Sequence, residues 1–241
     1  MSNRRCGRRS CAGWVVGIGI ALLLSSCGTE RFDDLADIAV CNPNGTLFTA
    51  DIDNPFLPFP VGHQVVLEGT EGGEALLVRI TALNETETVA GVETRVVEEY
   101  EAKDGRVVEV SRNFFAQTQD GTVCYFGEEV DIYDAAGNVT SHSGAWRADG
   151  ETNLPGIFMP PIPEVGYAFQ QEIAPGVAED QAKVTALGET TEVPAGTFTD
   201  TMTLLEINPL DGGRDTKVYA RGVGVIVDGP AELTSYTTPA R

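Results

Sequence analysis

Histidines and recognisable nucleophile motifs, the usual signs of nucleophilic or acid–base catalysis, are few in this chain of 241 residues. Its two histidines, His63 and His142, lack a neighbour at the spacing of metal ligands, and we expect both at the surface or in turns. The sequence contains neither a Gly-x-Ser-x-Gly nucleophile motif nor a glycine loop for phosphate. We therefore predict no catalytic residue, no metal site and no cofactor.

Carboxylates, by contrast, are abundant, with 36 aspartates and glutamates against 16 lysines and arginines. The densest run contains Glu128, Glu129, Asp131 and Asp134. On a strand, Glu129 and Asp131 would share a face and could offer oxygen ligands to Ca²⁺. A solvated acidic edge that discourages strand pairing is the simpler interpretation. A carboxylate pair of the kind used by glycoside hydrolases stays an open alternative.

The formal net charge of −20 at pH 7 excludes one class of partner. A body this acidic repels phosphate backbones, so we predict that the protein does not bind nucleic acid. Solubility is the simplest role for the charge, and an acidic binding face is the alternative. Glu179 and Asp180, placed just before a predicted strand, have the same two interpretations.

The first 27 residues have the layout of an export signal. Arginines lie in residues 4–9, and the apolar stretch 14–24 is far shorter than the roughly 20 residues of a membrane-spanning helix. Leu24, Ser25, Ser26 and Cys27 follow, and this sequence resembles the bacterial lipoprotein signal. The resemblance implies removal of residues 1–26, attachment of a diacylglycerol to the thiol of Cys27, and acylation of the new N-terminus by a fatty acid such as palmitate. It also implies retention on the periplasmic or extracellular face of a bacterial membrane. An ordinary cleaved signal is the alternative.

The remaining cysteines indicate one disulfide. Cys6 and Cys11 would leave with the signal, and Cys27 would carry lipid. Cys41 and Cys124 would then be the two thiols of an exported body in an oxidising compartment, and we predict that they pair. Two separately buried thiols are the alternative.

The mature chain divides into a tether and lead-in segment, residues 27–50, and a single β-domain, residues 51–241. Three prolines within residues 53–60 forbid a helix or a central strand there, and the aromatic residues between them suggest an extended plug packed on the core. Residues 149–163 are expected to be a loop. The predicted strands are 64–69, 74–83, 92–101, 106–116, 122–133, one ending at 146, 165–173, 181–187, 199–207, 216–221 and 223–227.

These strands are joined by hairpin signals such as Lys103-Asp104-Gly105, where glycine accepts a left-handed turn conformation. Within 122–133, Phe126, Val130 and Ile132 are predicted to share one face. About ten to twelve short strands at hairpin spacing predict an all-β fold, an antiparallel meander curved into an open or closed barrel.

Several turn and loop motifs of the β-domain resemble those of a family of exported bacterial β-proteins that has no assigned function. The likeness runs from about residue 53 to residue 227, and it opens with Asn-Pro-aromatic-x-Pro and Pro-x-Gly, supplied by residues 54–62. Its other motifs lie at 115–121, 125–128, 154–160, 175–180, 193–198 and 222–224. They are turn and packing motifs, so the resemblance implies a fold and carries over no catalytic residue. The architecture is also similar to that of periplasmic lipoprotein carriers with an apolar cavity.

Together these patterns predict a lipid-anchored, monomeric, non-enzymatic envelope protein that binds an apolar or envelope-derived ligand inside its curved sheet. A structural or interaction lipoprotein with a packed core is the second candidate, and a carboxylate-based hydrolase is the third. A continuous apolar void of several hundred Å³ would favour ligand carriage, whereas a filled interior would exclude it. Two converging carboxyls in a cleft, one with a raised pKa, would favour the hydrolase.

Overall fold

The computed structural model describes residues 31–239, which form sixteen β-strands and one short 3₁₀-helix, η1 (Ile38–Cys41). The strands are β1 (Phe48–Thr49), β2 (Gln64–Glu71), β3 (Glu74–Val89), β4 (Val92–Lys103), β5 (Arg106–Thr118), β6 (Val123–Tyr133), β7 (Val139–Ser141), β8 (Trp146–Arg147), β9 (Leu154–Met159), β10 (Ala168–Gln170), β11 (Glu172–Ile173), β12 (Gln181–Val193), β13 (Gly196–Ile207), β14 (Arg214–Ala220), β15 (Gly224–Asp228) and β16 (Ala231–Thr237).

All strands belong to one antiparallel sheet that curls into a nearly closed barrel. The hydrogen-bonded order is β10-β12-β13-β14-β15-β16-β2-β3-β4-β5-β6-β9-β11, and β1, β7 and β8 pair with β5 or β6 off this path. The two ends of the path, β10 and β11, are separated in the chain by Gln171 alone. The predicted all-β antiparallel barrel is therefore confirmed, with more strands than the ten to twelve expected.

The hairpin turn predicted at Lys103-Asp104-Gly105 is present in the structure, between β4 and β5. Asp104 and Gly105 both have positive φ, at 49° and 74°, which is the conformation of a two-residue turn matched to strand twist. The side chain of Asp104 accepts a hydrogen bond from the backbone N–H of Ala75 at 2.9 Å, so it also fastens the neighbouring turn.

Three segments differ from prediction. The expected loop 149–163 contains β9, which pairs with β6 over only three residues and across a register shift, so its alternating pattern is too short to detect among prolines. β12 and β13 extend to a tight turn at Pro194 and Ala195, and β16 was not predicted. β16 is an ordinary strand in the sheet because it pairs with β2 and β15.

The proline-rich segment forms the predicted plug at one end of the barrel. Phe56 and Leu57 are buried, and Asn54 holds the segment in place by donating from Nδ2 to the carbonyls of Gly121 and Pro160, each at 2.9 Å. The side-chain oxygen of Asn54 accepts from the N–H of Phe56 at 2.9 Å. The asparagine of the Asn-Pro motif thus links the plug by hydrogen bonds to the loops that contain Gly121 and Pro160.

The lead-in segment packs along the outside of the sheet and is bonded to it. Cys41 and Cys124 form the predicted disulfide, with Cα atoms 5.7 Å apart, and this bond ties η1 to β6. Phe48 of β1 then stacks edge-on against Phe126 at 5.3 Å between ring centroids. The segment therefore contributes to the folded domain from η1 onward.

Candidate functional site

The barrel interior near the plug is apolar and contains a small cavity. Its volume is about 60 Å³. Phe59 and Phe158 pack on Phe115 at centroid distances of 5.6 and 4.9 Å, and Tyr125 stacks on Phe115 at 4.7 Å. Polar groups of Glu99, Asn113, Lys217 and Asp228 also line this cavity. We call the barrel interior that contains this cavity the chamber.

Eight carboxyl groups from strands around the whole barrel interact electrostatically with other groups of its interior, and two of them, Glu99 and Asp228, line the cavity. The eight come from β4, β5, β6, β11, β13 and β15 and from the residue just before β12. We call this set the acidic belt: Glu99, Glu101, Glu109, Glu128, Glu172, Asp180, Glu206 and Asp228.

The inward direction of Glu99 follows from its position in the cavity lining together with Lys217 and Asp228, which belong to strands that are not its neighbours. Glu99 on β4 interacts electrostatically with Lys217 on β14 and with Asp228 on β15, although three strands separate β4 from β15 in the sheet. Such groups can meet only across the barrel interior. Glu99 and Glu101, two residues apart, therefore project inward from β4 together.

Two lysines partly balance the belt. The Nζ of Lys217 lies 3.4 Å from both Glu206 and Asp228, and the Nζ of Lys103 lies 2.5 Å from Glu71 and 3.4 Å from Glu101. The side chains of Lys217 and Lys103 remain 24% and 28% exposed, so solvent reaches the chamber. Two cations against eight carboxyls leave an excess of potential negative charge.

Protonation relieves that excess. Burial, reinforced by Glu99 and Glu109, raises the pKa of Glu128 from 4.5 to about 8. Burial also raises the pKa of Glu99 to about 7, against the opposing effect of Lys217, and the pKa of Asp180 to about 6. Some of these carboxyls, Glu128 above all, are therefore protonated at neutral pH. They would ionise if a positive charge were brought next to them.

Like charges also face each other within the sheet. Glu101 of β4 is the direct cross-strand partner of Glu109 of β5. Such pairs destabilise a sheet, and burial with the charge of Glu101 raises the pKa of Glu109. An arrangement that costs folding stability and lines an internal space is characteristic of a functional site.

A buried indole lies in the same region. Trp146 is only 5% exposed, and its ring N–H lies beside the carboxyl of Glu172, while the buried Oδ1 of Asp180 has no hydrogen-bond partner among the described residues. Trp146 pairs across the ladder with Glu128 and packs edge-on against Tyr125 at 5.5 Å. Burial and nearby carboxylates raise the pKa of Glu172, while the neighbouring indole acts in the opposite direction.

A bulge at Gly127 creates this arrangement. Gly127 has φ of 123°, and the pairing of β5 with β6 shifts register at this point, so Tyr125 and Glu128 both face inward. The predicted shared face of Phe126, Val130 and Ile132 is therefore wrong. Phe126 lies on the outer side beneath Phe48, because the extra residue reverses the alternation.

The bulge gives a testable prediction. A Cβ at Gly127 would lie 2.3 Å from the carbonyl oxygen of Trp146 and 2.8 Å from the Cα of Arg147. Gly127→Ala should therefore lower the free energy of unfolding by about 2 to 3 kcal/mol more than Gly137→Ala does in urea titrations. Gly137 also has positive φ but an open environment, so equal losses would show that the close contact is unimportant.

The two neighbours in the predicted acidic run point to opposite sides of the sheet. Glu128 faces the chamber, whereas Glu129 on the outer side pairs with Arg147 at 2.5 Å. Asp131 contacts exposed His142 at 3.0 Å. Within residues 31–239, no three His, Cys, Asp or Glu side chains converge closely enough to hold a metal ion, so the Ca²⁺ interpretation gains no support.

His63 closes the turn before β2, where its backbone N–H donates to the carbonyl of Pro60 at 2.8 Å, but the expectation of a surface position is wrong for it. It is 2% exposed, its Nε2 lies 2.9 Å from the carbonyl of Val223, and burial lowers its pKa. The turn before β2 is covered by the plug and by the chain end, where Thr238 lies 3.2 Å from Nδ1. A neutral His63 thus belongs to the apolar wall of the cavity.

Most residues of the acidic belt were not predicted from the sequence. Glu99, Glu101 and Lys103 recur at every second position of β4, and this was the available signal. This pattern did not reveal the inward face of β4, because apolar Val96 and Tyr100 alternate with the charged residues and apolar residues more usually face inward. Two of the three lysines lie in the chamber, which composition alone does not reveal.

The proposed lipid site, Cys27, lies outside the described residues. Between residues 31 and 239 the structure contains no helix with the length and apolar character to cross a bilayer. The first described residue, Arg31, forms an ion pair with Glu179 at 2.5 Å, close to Asp180 of the acidic belt.

Comparison with known proteins yields one structural similarity. No family model matches the chain, and no curated protein matches it. Among solved structures, the chain is similar to a crystal structure described as a candidate exported protein with a YmcC-like fold from Bacteroides fragilis. The identity is 14%, the TM-score is 0.34, and the match covers 76% of this chain and 99% of the other. A TM-score this low carries no argument about fold or function.

Proposed function

We propose that this protein is a lipid-anchored, non-enzymatic protein of the bacterial envelope that binds a small, envelope-derived ligand in the chamber. The observation that carries the proposal is an internal cavity whose lining combines aromatic rings such as Phe59 and Phe115 with the carboxyls of Glu99 and Asp228. Ligand sites are typically concave, mostly apolar, and furnished with a few convergent polar groups.

The size of the cavity restricts the ligand. About 60 Å³ is far below the several hundred Å³ that carriage of a lipid would need. Inside the barrel the predicted apolar ligand is therefore limited to a small molecule, or to the small end of a larger one. Its apolar part would contact Phe59 and Phe115, and its polar part would face Glu99 and Asp228. A second, more open pocket of about 370 Å³ lies beside Arg31 and is lined by Leu35 and Ile173 among others.

The position of Arg31, the first described residue, supports a ligand that comes from the cell envelope. Cys27 is four residues before Arg31, a distance of about 14 Å at most when fully extended. Arg31 is held at Glu179, next to the belt residue Asp180. A lipid on Cys27 would consequently keep the acidic side of the barrel close to the membrane surface.

One observation favours the hydrolase alternative. The raised pKa of Glu128 beside other carboxyls meets the condition for a general acid. However, the retaining and inverting mechanisms place a sugar ring between two carboxyls, and a cavity of about 60 Å³ does not accommodate that ring. Binding without turnover is therefore the better-supported function.

The anchor is tested by Cys27→Ala, which removes the thiol that would receive lipid. The variant, expressed in a Gram-negative host, should move from the membrane pellet to the soluble fraction, because no acyl chain would remain. Cys11→Ala is the matched control and should stay in the pellet. Retention of both variants in the membrane would contradict the lipid anchor.

A further inference from the structure

The second pocket, which we call the lead-in pocket, lies beside Arg31. Its volume is about 370 Å³, and within residues 31–239 it has no lining residue in common with the barrel cavity. We propose that it binds the acyl chain of a single-chain phospholipid with a zwitterionic head group, taken from the membrane that holds the lipid anchor. The inference rests on the anchor of the proposed function and does not require a ligand in the chamber.

The lining of the lead-in pocket suits an alkyl chain. The lead-in segment contributes Leu35, Ala36 and Ile38, and the sheet contributes Ile173 of β11 and Pro175 just after it. All five side chains are apolar, so each methylene group that enters the pocket leaves water for an apolar surface. The pocket therefore favours a chain of methylene groups over a polar ligand.

The pocket is held open by bonds on both sides of its lead-in wall. The N–H of Phe32 donates to the side-chain oxygen of Gln181 at 2.9 Å, and the N–H of Ala36 donates to the carbonyl of Ala168 at 2.8 Å. The disulfide at Cys41 then fixes the end of η1. These attachments position the apolar side chains before any ligand arrives, as is usual for ligand sites.

The volume argues for one acyl chain. About 370 Å³ lies near the lower end of the roughly 300 to 1,000 Å³ that ligand pockets occupy, and it leaves no room for the two chains of an ordinary phospholipid. One acyl chain holds a molecule in a bilayer only marginally and reversibly, whereas two hold it firmly. A single-chain lipid can therefore exchange between the membrane and the pocket, and a two-chain lipid stays in the membrane.

The anchor would place the pocket next to its supply of lipid. Arg31 lines the pocket, and Cys27 lies four residues before it, about 14 Å at most along an extended chain. A lipid on Cys27 would consequently keep the pocket within reach of the bilayer surface. Such tethering raises the effective concentration of membrane lipids at the pocket.

The charged part of the lining is complementary to a zwitterionic head group. Arg31 and Glu179 form an ion pair at 2.5 Å, and their side chains remain 49% and 20% exposed. The hydrogen bond from Arg31, together with that from the N–H of Gly176 at 3.0 Å, lowers the pKa of Glu179 and keeps it ionised. A guanidinium has five N–H donors, so Arg31 can bind a phosphate while it pairs with Glu179.

The same pair selects against head groups with a net charge. Its cation would face the phosphate and its anion the ammonium group, and the two charges of the pair cancel. Burial raises the pKa of Glu172, which also lines the pocket, and a protonated carboxyl there adds no charge. A head group that is itself neutral overall, with both charges present, therefore fits best.

Photocrosslinking in vesicles tests the proposal on the full-length, lipidated protein. Phosphatidylcholine vesicles carry a small fraction of lysophosphatidylcholine with a diazirine in its acyl chain, and peptide mapping locates the label. Label is expected at 35–38 and 173–175. Phosphatidylcholine with the same diazirine chain should label these residues at least about fivefold less. A diazirine monoacylglycerol, which has one chain and an uncharged head group, should label them about threefold less.

Two leucines of the lead-in segment provide matched variants. Leu35→Glu puts a charge against the alkyl chain and should reduce labelling at least about fivefold. Leu47→Glu makes the same change at a leucine that is 69% exposed and outside the pocket lining, so labelling should persist. Arg31→Gln, which leaves the apolar lining intact, should reduce labelling by lysophosphatidylcholine to the level of the monoacylglycerol.

The outcomes separate this inference from the proposed function. Equal labelling by the one-chain and two-chain probes would show mere contact with the bilayer and would overturn the inference, as would the absence of label. Label confined to Phe59 and Phe115 would overturn the lead-in pocket and support the chamber. An intact mass without lipid on Cys27 would overturn the anchor and this inference together.

Discussion

Glu128→Gln is expected to make the protein more stable at pH 8, by about 3 kcal/mol. Most surface substitutions change stability by less than about 0.5 kcal/mol, and most substitutions of buried residues are destabilising. The gain is expected because the wild-type carboxyl must either ionise in a buried, acidic environment or keep its proton against the solution. Glutamine has nearly the same shape and carries no charge.

The pH dependence of this effect has a definite sign. In the unfolded chain Glu128 loses its proton near pH 4.5, whereas in the folded protein the pKa is about 8. Its contribution to stability is therefore fully present below pH 4.5 and is lost as the pH rises to about 8. Glu99 and Asp180, whose pKa values rise to about 7 and about 6, act in the same direction over narrower ranges.

Chemical unfolding at pH 5 and pH 8 measures this difference. The gain from Glu128→Gln should be small at pH 5 and near its maximum at pH 8. Glu129→Gln, which removes the exposed ion pair with Arg147, should change stability by less than about 1 kcal/mol at both values. A destabilising effect of Glu128→Gln at pH 8 would show that Glu128 is ionised and stabilised in the folded protein.

Loss of the disulfide should have the largest destabilising effect. Cys41 and Cys124 are separated by 83 positions, and closing such a loop stabilises a protein by about 4 to 5 kcal/mol in the chain-entropy model. The double variant Cys41→Ala/Cys124→Ala should lose this amount. Alanine is preferred to serine because both cysteines are fully buried and a hydroxyl there would add a separate cost.

A reductant distinguishes the effect of losing the disulfide bond from the effect of replacing the two side chains. Guanidinium unfolding of the wild type with dithiothreitol should approach the midpoint of the double variant, and the midpoint of the variant should not respond to dithiothreitol. A wild-type midpoint that is unchanged by complete reduction would contradict a stabilising role for the bond.

The sequence predicted the architecture because hairpin turns are local. Asp104 and Gly105 determine their turn from neighbouring residues alone, and the paired strands follow from it. The plug was predictable from its prolines. β9 and β16 were not, because β9 is short and proline-containing, and β16 is recognised only through its pairing with the distant strand β2.

The candidate site was mostly invisible in the sequence because it reverses the usual pattern of burial. Tyr100 and Val110 face each other across β4 and β5, while Glu99, Glu101 and Glu109 face the interior. When both faces of a strand carry some apolar residues, the alternating pattern does not determine which face lies inside the barrel. That assignment depends on barrel closure, which brings Lys217 opposite Glu99 from a strand more than a hundred residues away.

Native mass spectrometry of the protein purified from its own envelope, and released gently from detergent, tests the ligand chamber most directly. The predicted result is a repeatable mass adduct of a small molecule on the lipidated chain, retained by Glu129→Gln and reduced in Glu99→Gln, because Glu99 lines the cavity. Repeated preparations that show only the mass of the lipidated chain would contradict the chamber as a ligand site and would favour a structural or interaction protein with a packed core.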